Sequence, residues 1–164
     1  MTDPLLHVLF ICTGNSARSI MAEALMNTLG RGRFRAFSAG SRPGGVVHPL
    51  ALATLTTLAV PVDGLRSKSW DEFAAPGAPK LDFVLTVCDA AAGEVCPVWP
   101  GQPISAHWGV PDAASFVGTE AQKSKLFFDV ALTLKRRIEL MLALPMQSLD
   151  KLSLAHAVKD IGRH

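Results

Sequence analysis

A chain of 164 residues, 49% hydrophobic and 18% charged, has the balance of one folded domain around a single core and lies far from disordered compositions. A formal net charge of +2 gives no sign of the clustered basic surface that nucleic acid requires, and Arg31, Arg33 and Arg35 read as a solvated connection. No apolar run reaches the roughly 18 residues of a membrane span, and the opening residues lack the basic-then-apolar order of a secretion signal, so the expected setting is the cytoplasm.

Leu5 to Ile11 is a short, continuous apolar run ending at a glycine-containing loop, the pattern of a buried parallel strand. Ala17 to Leu29 follows with helix formers, and Gly30 is its stop. Phe34 to Ser38 predicts a second strand, followed by a loop through Gly45. Pro49 to Leu58 predicts a helix with proline in its first turn. Ser69 stands before a short helical stretch at Trp70 to Phe73. Leu81 to Val87 predicts the third strand, with Cys88 at its end, and Ile104 to His107 the fourth. Glu120 to Leu144 is the longest helical pattern, with Leu126, Phe127, Val130, Leu134, Ile138, Met141 and Leu142 on one side and Pro145 as its end. Residues 1–147 are expected to form one domain, and residues 148–164 a C-terminal extension with a weak helical pattern.

Strands alternating with helices predict an α/β fold: a four-stranded parallel sheet with helices on both faces. Ligands bind beyond the C-terminal ends of such strands. Cys12, Cys88 and the loop after His107 all lie at such ends, which gathers them on one edge.

The turn Cys12-Thr13-Gly14-Asn15-Ser16-Ala17-Arg18-Ser19 runs from strand into helix. Backbone N–H groups and the helix dipole converge there on an anion. The same field favours the Cys12 thiolate, a nucleophile. Arg18 can bind two oxygens of a tetrahedral oxyanion, Ser19 can donate to the Cys12 sulfur, and Asn15 tolerates a left-handed backbone. His48 and His107 are not spaced with cysteines as a zinc site requires, so no metal is expected. His107 reads as a hydrogen-bonding residue near the loop, and Trp70, Trp99 and Trp108 as packing.

The string from Val8 to Glu23, with Met21-Ala22-Glu23-Ala24 and Ser38-Ala39-Gly40-Ser41, resembles the low-molecular-weight protein tyrosine phosphatase superfamily. The resemblance covers most of residues 5–144. That superfamily holds phosphotyrosine hydrolysis and thiol-dependent arsenate reduction. Both begin with attack by Cys12 on a tetrahedral oxyanion while an acid protonates the departing oxygen. Asp112 is the candidate acid. The superfamily usually has Asp-Pro here, whereas this chain has Pro111 before Asp112 and Ala113 after it.

The three cysteines of the chain, an odd number, read as thiols in a reducing compartment. Cys12, Cys88 and Cys96 resemble the set in thioredoxin-linked arsenate reductases. The resemblance implies that Cys88 attacks the Cys12–arsenic adduct, releasing arsenite, and that Cys96 then draws the disulfide outward as Cys88–Cys96. No bound cofactor is implied; reducing equivalents would come from thioredoxin, or from glutaredoxin with a small thiol. The phosphatase branch carries tyrosines at its pocket rim, and this chain has none. A phosphatase working through a Cys12 phosphocysteine and a non-catalytic oxyanion or redox sensor stay open as alternatives. Some relatives hold potassium near the loop through a carboxylate. Lys68 stands near that place, and its ammonium can supply the positive charge itself, so no potassium requirement is expected, with Asn15, Glu23 and Ser38 as structural supports.

Overall fold

The computed structural model describes residues 5–93, 97 and 99–164. Four parallel strands, β1 (Leu6–Cys12), β2 (Phe34–Gly40), β3 (Phe83–Thr86) and β4 (Ile104–His107), form one sheet in the order β2-β1-β3-β4. Among the described residues, five α-helices flank it: α1 (Arg18–Leu29), α2 (Pro49–Thr57), the short α3 (Asp89–Ala92), α4 (Glu120–Leu142) and α5 (Lys151–Ile161). Val8, Leu9, Phe10 and Ile11 in β1 are all fully buried. Successive side chains of a strand point to opposite faces, so burial of all four requires cover on both faces. No helix among the described residues is long and apolar enough to cross a membrane.

The elements stop where local chemistry stops them. Pro49 occupies the first turn of α2, where its missing N–H costs nothing, and His48 Nδ1 accepts from Leu50 N at 3.1 Å. Thr119 and Gln122 close a reciprocal capping box at the start of α4. α4 ends at Leu142, two residues short of the sequence pattern, because the residue before Pro145 is held out of the helical region. β2 runs on to Gly40, since its pairing with β1 continues to Cys12↔Gly40. β3 is shorter than the apolar run because its pairing begins at Val8↔Phe83; just before it, Asp82 Oδ2 accepts from His7 N at 2.8 Å.

Two features of the fold bear on the strand ends. At the end of β2, a Cβ on Gly40 would collide with the Thr13 carbonyl oxygen and stand 3.0 Å from Asn15 Cβ, so only glycine lets the first loop close against this strand. At the far edge, α5 packs on β4 and buries Leu154, Val158 and Ile161. The fully buried Trp108 donates from Nε1 to the Val158 carbonyl at 2.9 Å, tying α5 to the chain that leaves β4.

Gly40→Ala is expected to destabilise the protein by about 1–3 kcal/mol, the usual cost of overpacking. Urea unfolding measures it, and an unchanged midpoint would show that the loop can retreat from β2.

Candidate functional site

The loop between β1 and α1 is built by turning its carbonyls outward. Thr13 O accepts from Arg42 N at 2.9 Å, Gly14 O from Gly44 N at 3.1 Å, and Ser16 O from His48 N at 2.8 Å. With carbonyls at these positions tied to the segment before α2, the loop N–H groups face the opposite way, toward Cys12. Asn15 N donates to Cys12 Sγ at 3.2 Å. α1 opens on Ala17 with no side-chain cap and no acidic residue in its first turn. A helix start left in that condition favours an anion.

Asn15 organises the loop. It has φ 46°, the left-handed conformation foreseen for it, and its side chain is fully buried. Lys68 N donates to Asn15 Oδ1 at 2.8 Å. A backbone N–H can only donate, so this bond fixes the amide oxygen and directs Nδ2 toward Ser19 Oγ at 2.8 Å and Ser38 Oγ at 3.0 Å. Ser19, already accepting from Asn15, turns its own proton toward Cys12 Sγ at 2.9 Å, where it stabilises a thiolate. Ser38 in turn donates to Glu23 Oε1 at 2.7 Å.

Lys68 stands behind this chain of hydrogen bonds. Its Nζ lies 3.6 Å from Glu23 Oε1 and donates to Arg66 O at 2.9 Å, and the residue is only 9% exposed. Burial lowers its pKa below the ordinary lysine value, against the pull of the Glu23 carboxylate, and the nearby Arg66 charge lowers it further.

Arg18 and Asp112 meet across the mouth of the loop. Arg18 Nη1 donates to Val110 O at 3.3 Å, and Nη2 lies 3.6 Å from Asp112 Oδ2. Asp112 also caps the turn that follows it, accepting from Ser115 Oγ at 2.6 Å. Burial raises its pKa, but the Ser115 hydrogen bond and the Arg18 charge outweigh it and hold the carboxyl below the usual aspartate value. The reversed Pro111-Asp112 order therefore still delivers a carboxylate to Arg18.

Cys88 lies at the same edge, buried, as the cap residue of α3. Its Sγ accepts from Ala91 N at 3.4 Å and is 3.6 Å from Thr13 Oγ1 in the Cys12 loop. Cys96 lies outside the described residues. Among the described residues, no group of three or more His, Cys, Asp or Glu is placed to hold a metal.

Sequence reasoning missed Arg137. It is buried on α4, donating from Nη1 to Trp108 O at 2.9 Å and Gly109 O at 3.0 Å, and so fixes the chain leading to Asp112. A signal for it existed: Arg137 stands three residues after Leu134 and four before Met141, on the apolar side of the pattern. The backbone ties from Arg42, Gly44 and His48 had no such signal.

The family model for low molecular weight phosphotyrosine protein phosphatase matches residues 7–152. The chain belongs to this family. Among curated relatives, the arsenate reductase of Halalkalibacterium halodurans is 33% identical over 132 residues, covering 80% of this chain and 91% of that protein. Among solved structures, an arsenate reductase in the phosphate binding state superposes with a TM-score of 0.65 at 29% identity, covering 85% of this chain and 98% of that one. The thioredoxin-dependent arsenate reductase of Corynebacterium glutamicum superposes with a TM-score of 0.56 at 26% identity, covering 85% of this chain and 65% of that one. The phosphatase-family match extends only into the start of α5.

Two outcomes are expected from this geometry. Because the Asp112 pKa is depressed in the folded chain, its stabilising contribution is present above the ordinary aspartate value and is lost as pH falls through the depressed one. Asp112→Asn should flatten that acid limb in urea unfolding across pH, and an unaltered slope would contradict it. Replacing sodium by potassium at constant ionic strength should leave the unfolding midpoint unchanged, with Lys68 holding the place beside Glu23; a potassium-specific rise would show otherwise.

Proposed function

We propose that the protein reduces arsenate to arsenite through three thiols. Arsenate sits in the loop from Thr13 to Ser19, with Arg18 on its oxygens. The Cys12 thiolate attacks arsenic, and Asp112 protonates the departing oxygen, which leaves as water. Arsenate on Arg18 competes for the charge that holds the Asp112 carboxyl down, so binding favours the protonated acid that this step consumes. The Cys88 thiolate then attacks Cys12 Sγ. A sulfur–sulfur bond forms, the sulfur–arsenic bond breaks, and its electron pair stays on arsenic, which departs as arsenite. Cys96 attacks Cys88, frees Cys12, and leaves a Cys88–Cys96 disulfide for a thiol reductant, thioredoxin first among the candidates. The reaction consumes two thiols per arsenate and returns one disulfide and one water, with the cytoplasm as its setting.

The observation that carries this reading is the second thiol at the nucleophile's loop: Cys88 Sγ lies 3.6 Å from Thr13 Oγ1. Hydrolysis of a phosphocysteine has no use for it. The names of the relatives add to the same side. A phosphatase activity of the Cys12 loop is the second reading, favoured by the family membership and by the Arg18–Asp112 pair, which serves either oxyanion.

The test couples arsenate-dependent NADPH consumption to thioredoxin and thioredoxin reductase, with para-nitrophenyl phosphate hydrolysis measured in parallel. Cys12→Ser is expected to abolish both activities. Cys88→Ser and Cys96→Ser are expected to abolish reduction and to spare hydrolysis. Asp112→Asn should slow both by roughly 100-fold or more, the usual worth of a general acid. Full reductase turnover by Cys88→Ser would sink the relay.

A further inference from the structure

β3 and β4 end side by side, with Thr86 and His107 as register partners. The His107 ring bridges two groups there. Nδ1 lies 2.7 Å from Thr86 Oγ1, and Nε2 lies 2.7 Å from Asp89 Oδ1. A carboxylate only accepts, so Nε2 carries a proton and donates to Asp89. A neutral ring then accepts at Nδ1 from the Thr86 hydroxyl.

Asp89 is the first residue of α3 and follows Cys88 directly in the chain. The bridge also passes over the chain that leads to Asp112. A Cβ on Gly109 would lie 2.6 Å from His107 Nε2 and 2.8 Å from Asp89 Oδ1, so the absence of a side chain at this residue makes room for the contact. His107 thus joins the segment bearing the second thiol to the end of β4, whose position Arg137 fixes through Trp108 and Gly109.

We propose that His107 is a positioning residue for arsenite release: through Asp89 it holds Cys88 in line with Cys12, touching neither arsenate nor the thiols. The inference rests on the reductase reading above. The step it serves is the attack of the Cys88 thiolate on Cys12 Sγ, in which the sulfur–sulfur bond forms as the arsenic–sulfur pair leaves with arsenite. The His107 and Asp89 side chains are 40% and 95% exposed. A polar contact that open to water adds little to stability, so its loss leaves the fold intact and acts on the placement of α3. The same weakness lets Asp89 release His107 when Cys88 moves on to the next exchange.

The experiment compares wild type, His107→Ala, His107→Gln, Asp89→Ala and the double alanine variant in thioredoxin-coupled arsenate reduction and in para-nitrophenyl phosphate hydrolysis. Single-turnover arsenite release in a Cys96→Ser background isolates the Cys88 attack. His107→Ala and Asp89→Ala should each slow arsenite release about three- to fivefold, the scale expected of one exposed contact. The double variant should be no slower than either single one, and kcat and KM for the phosphate ester should stay at wild-type values. His107→Gln should recover most of the rate, since its amide nitrogen can donate to Asp89. Wild-type arsenite release in His107→Ala, or an equal fall in both activities, overturns the proposal. Absence of arsenate turnover in the wild type removes the reductase reading and this inference with it, whereas normal wild-type turnover with an unaffected His107→Ala removes this inference alone.

Discussion

The side-chain amide of Asn15 is the interaction on which the site depends. One buried residue in a left-handed conformation receives the Lys68 N–H and donates to Ser19 and Ser38. Because a backbone N–H cannot accept, the amide has one orientation, and every proton beyond it has a direction. Ser19 faces Cys12 for that reason. Buried polar networks stabilise one arrangement only when every member has its partner, and this one ends on the Glu23 carboxylate and the Lys68 ammonium beside it. The nucleophile is therefore prepared by a network that reaches back from its own loop to Ser38, Glu23 and Lys68 behind it.

The geometry of the loop suits either chemistry, because its demands are those of a tetrahedral anion, whatever the central atom. Outward carbonyls, an uncapped helix start and Arg18 supply the binding. What differs between hydrolysis and reduction lies outside the loop, at the end of β3. On the proposed reading, the Cys88 thiol there adds an electron donor to a nucleophile and changes the class of reaction without altering how the oxyanion is held.

Much of this was readable along the chain. The apolar run at Val8 to Ile11, the glycine at Gly30 and the proline at Pro49 each act locally, and the elements follow them. The left-handed Asn15 was readable for the same reason. Less was readable where one backbone meets another far away. The N–H groups of Arg42, Gly44 and His48 that hold the loop carbonyls are common to all non-proline residues and leave no mark in composition. The His107–Asp89 contact joins residues far apart in sequence and exists because β3 and β4 pair in one register. Arg137 lay between: its place on an apolar face was visible, its carbonyl partners were not.

The packing of α5 on β4 has a consequence for how the protein comes into being. β4 is an edge strand, and the helix that covers it is synthesised after α4, well behind the strand itself. Until α5 has been synthesised, β4 lacks the cover of that helix and Trp108 lacks its carbonyl partner. Uncovered edges of this kind recruit other chains. Translation from His107 to Ile161 thus sets how long that strand waits for its cover.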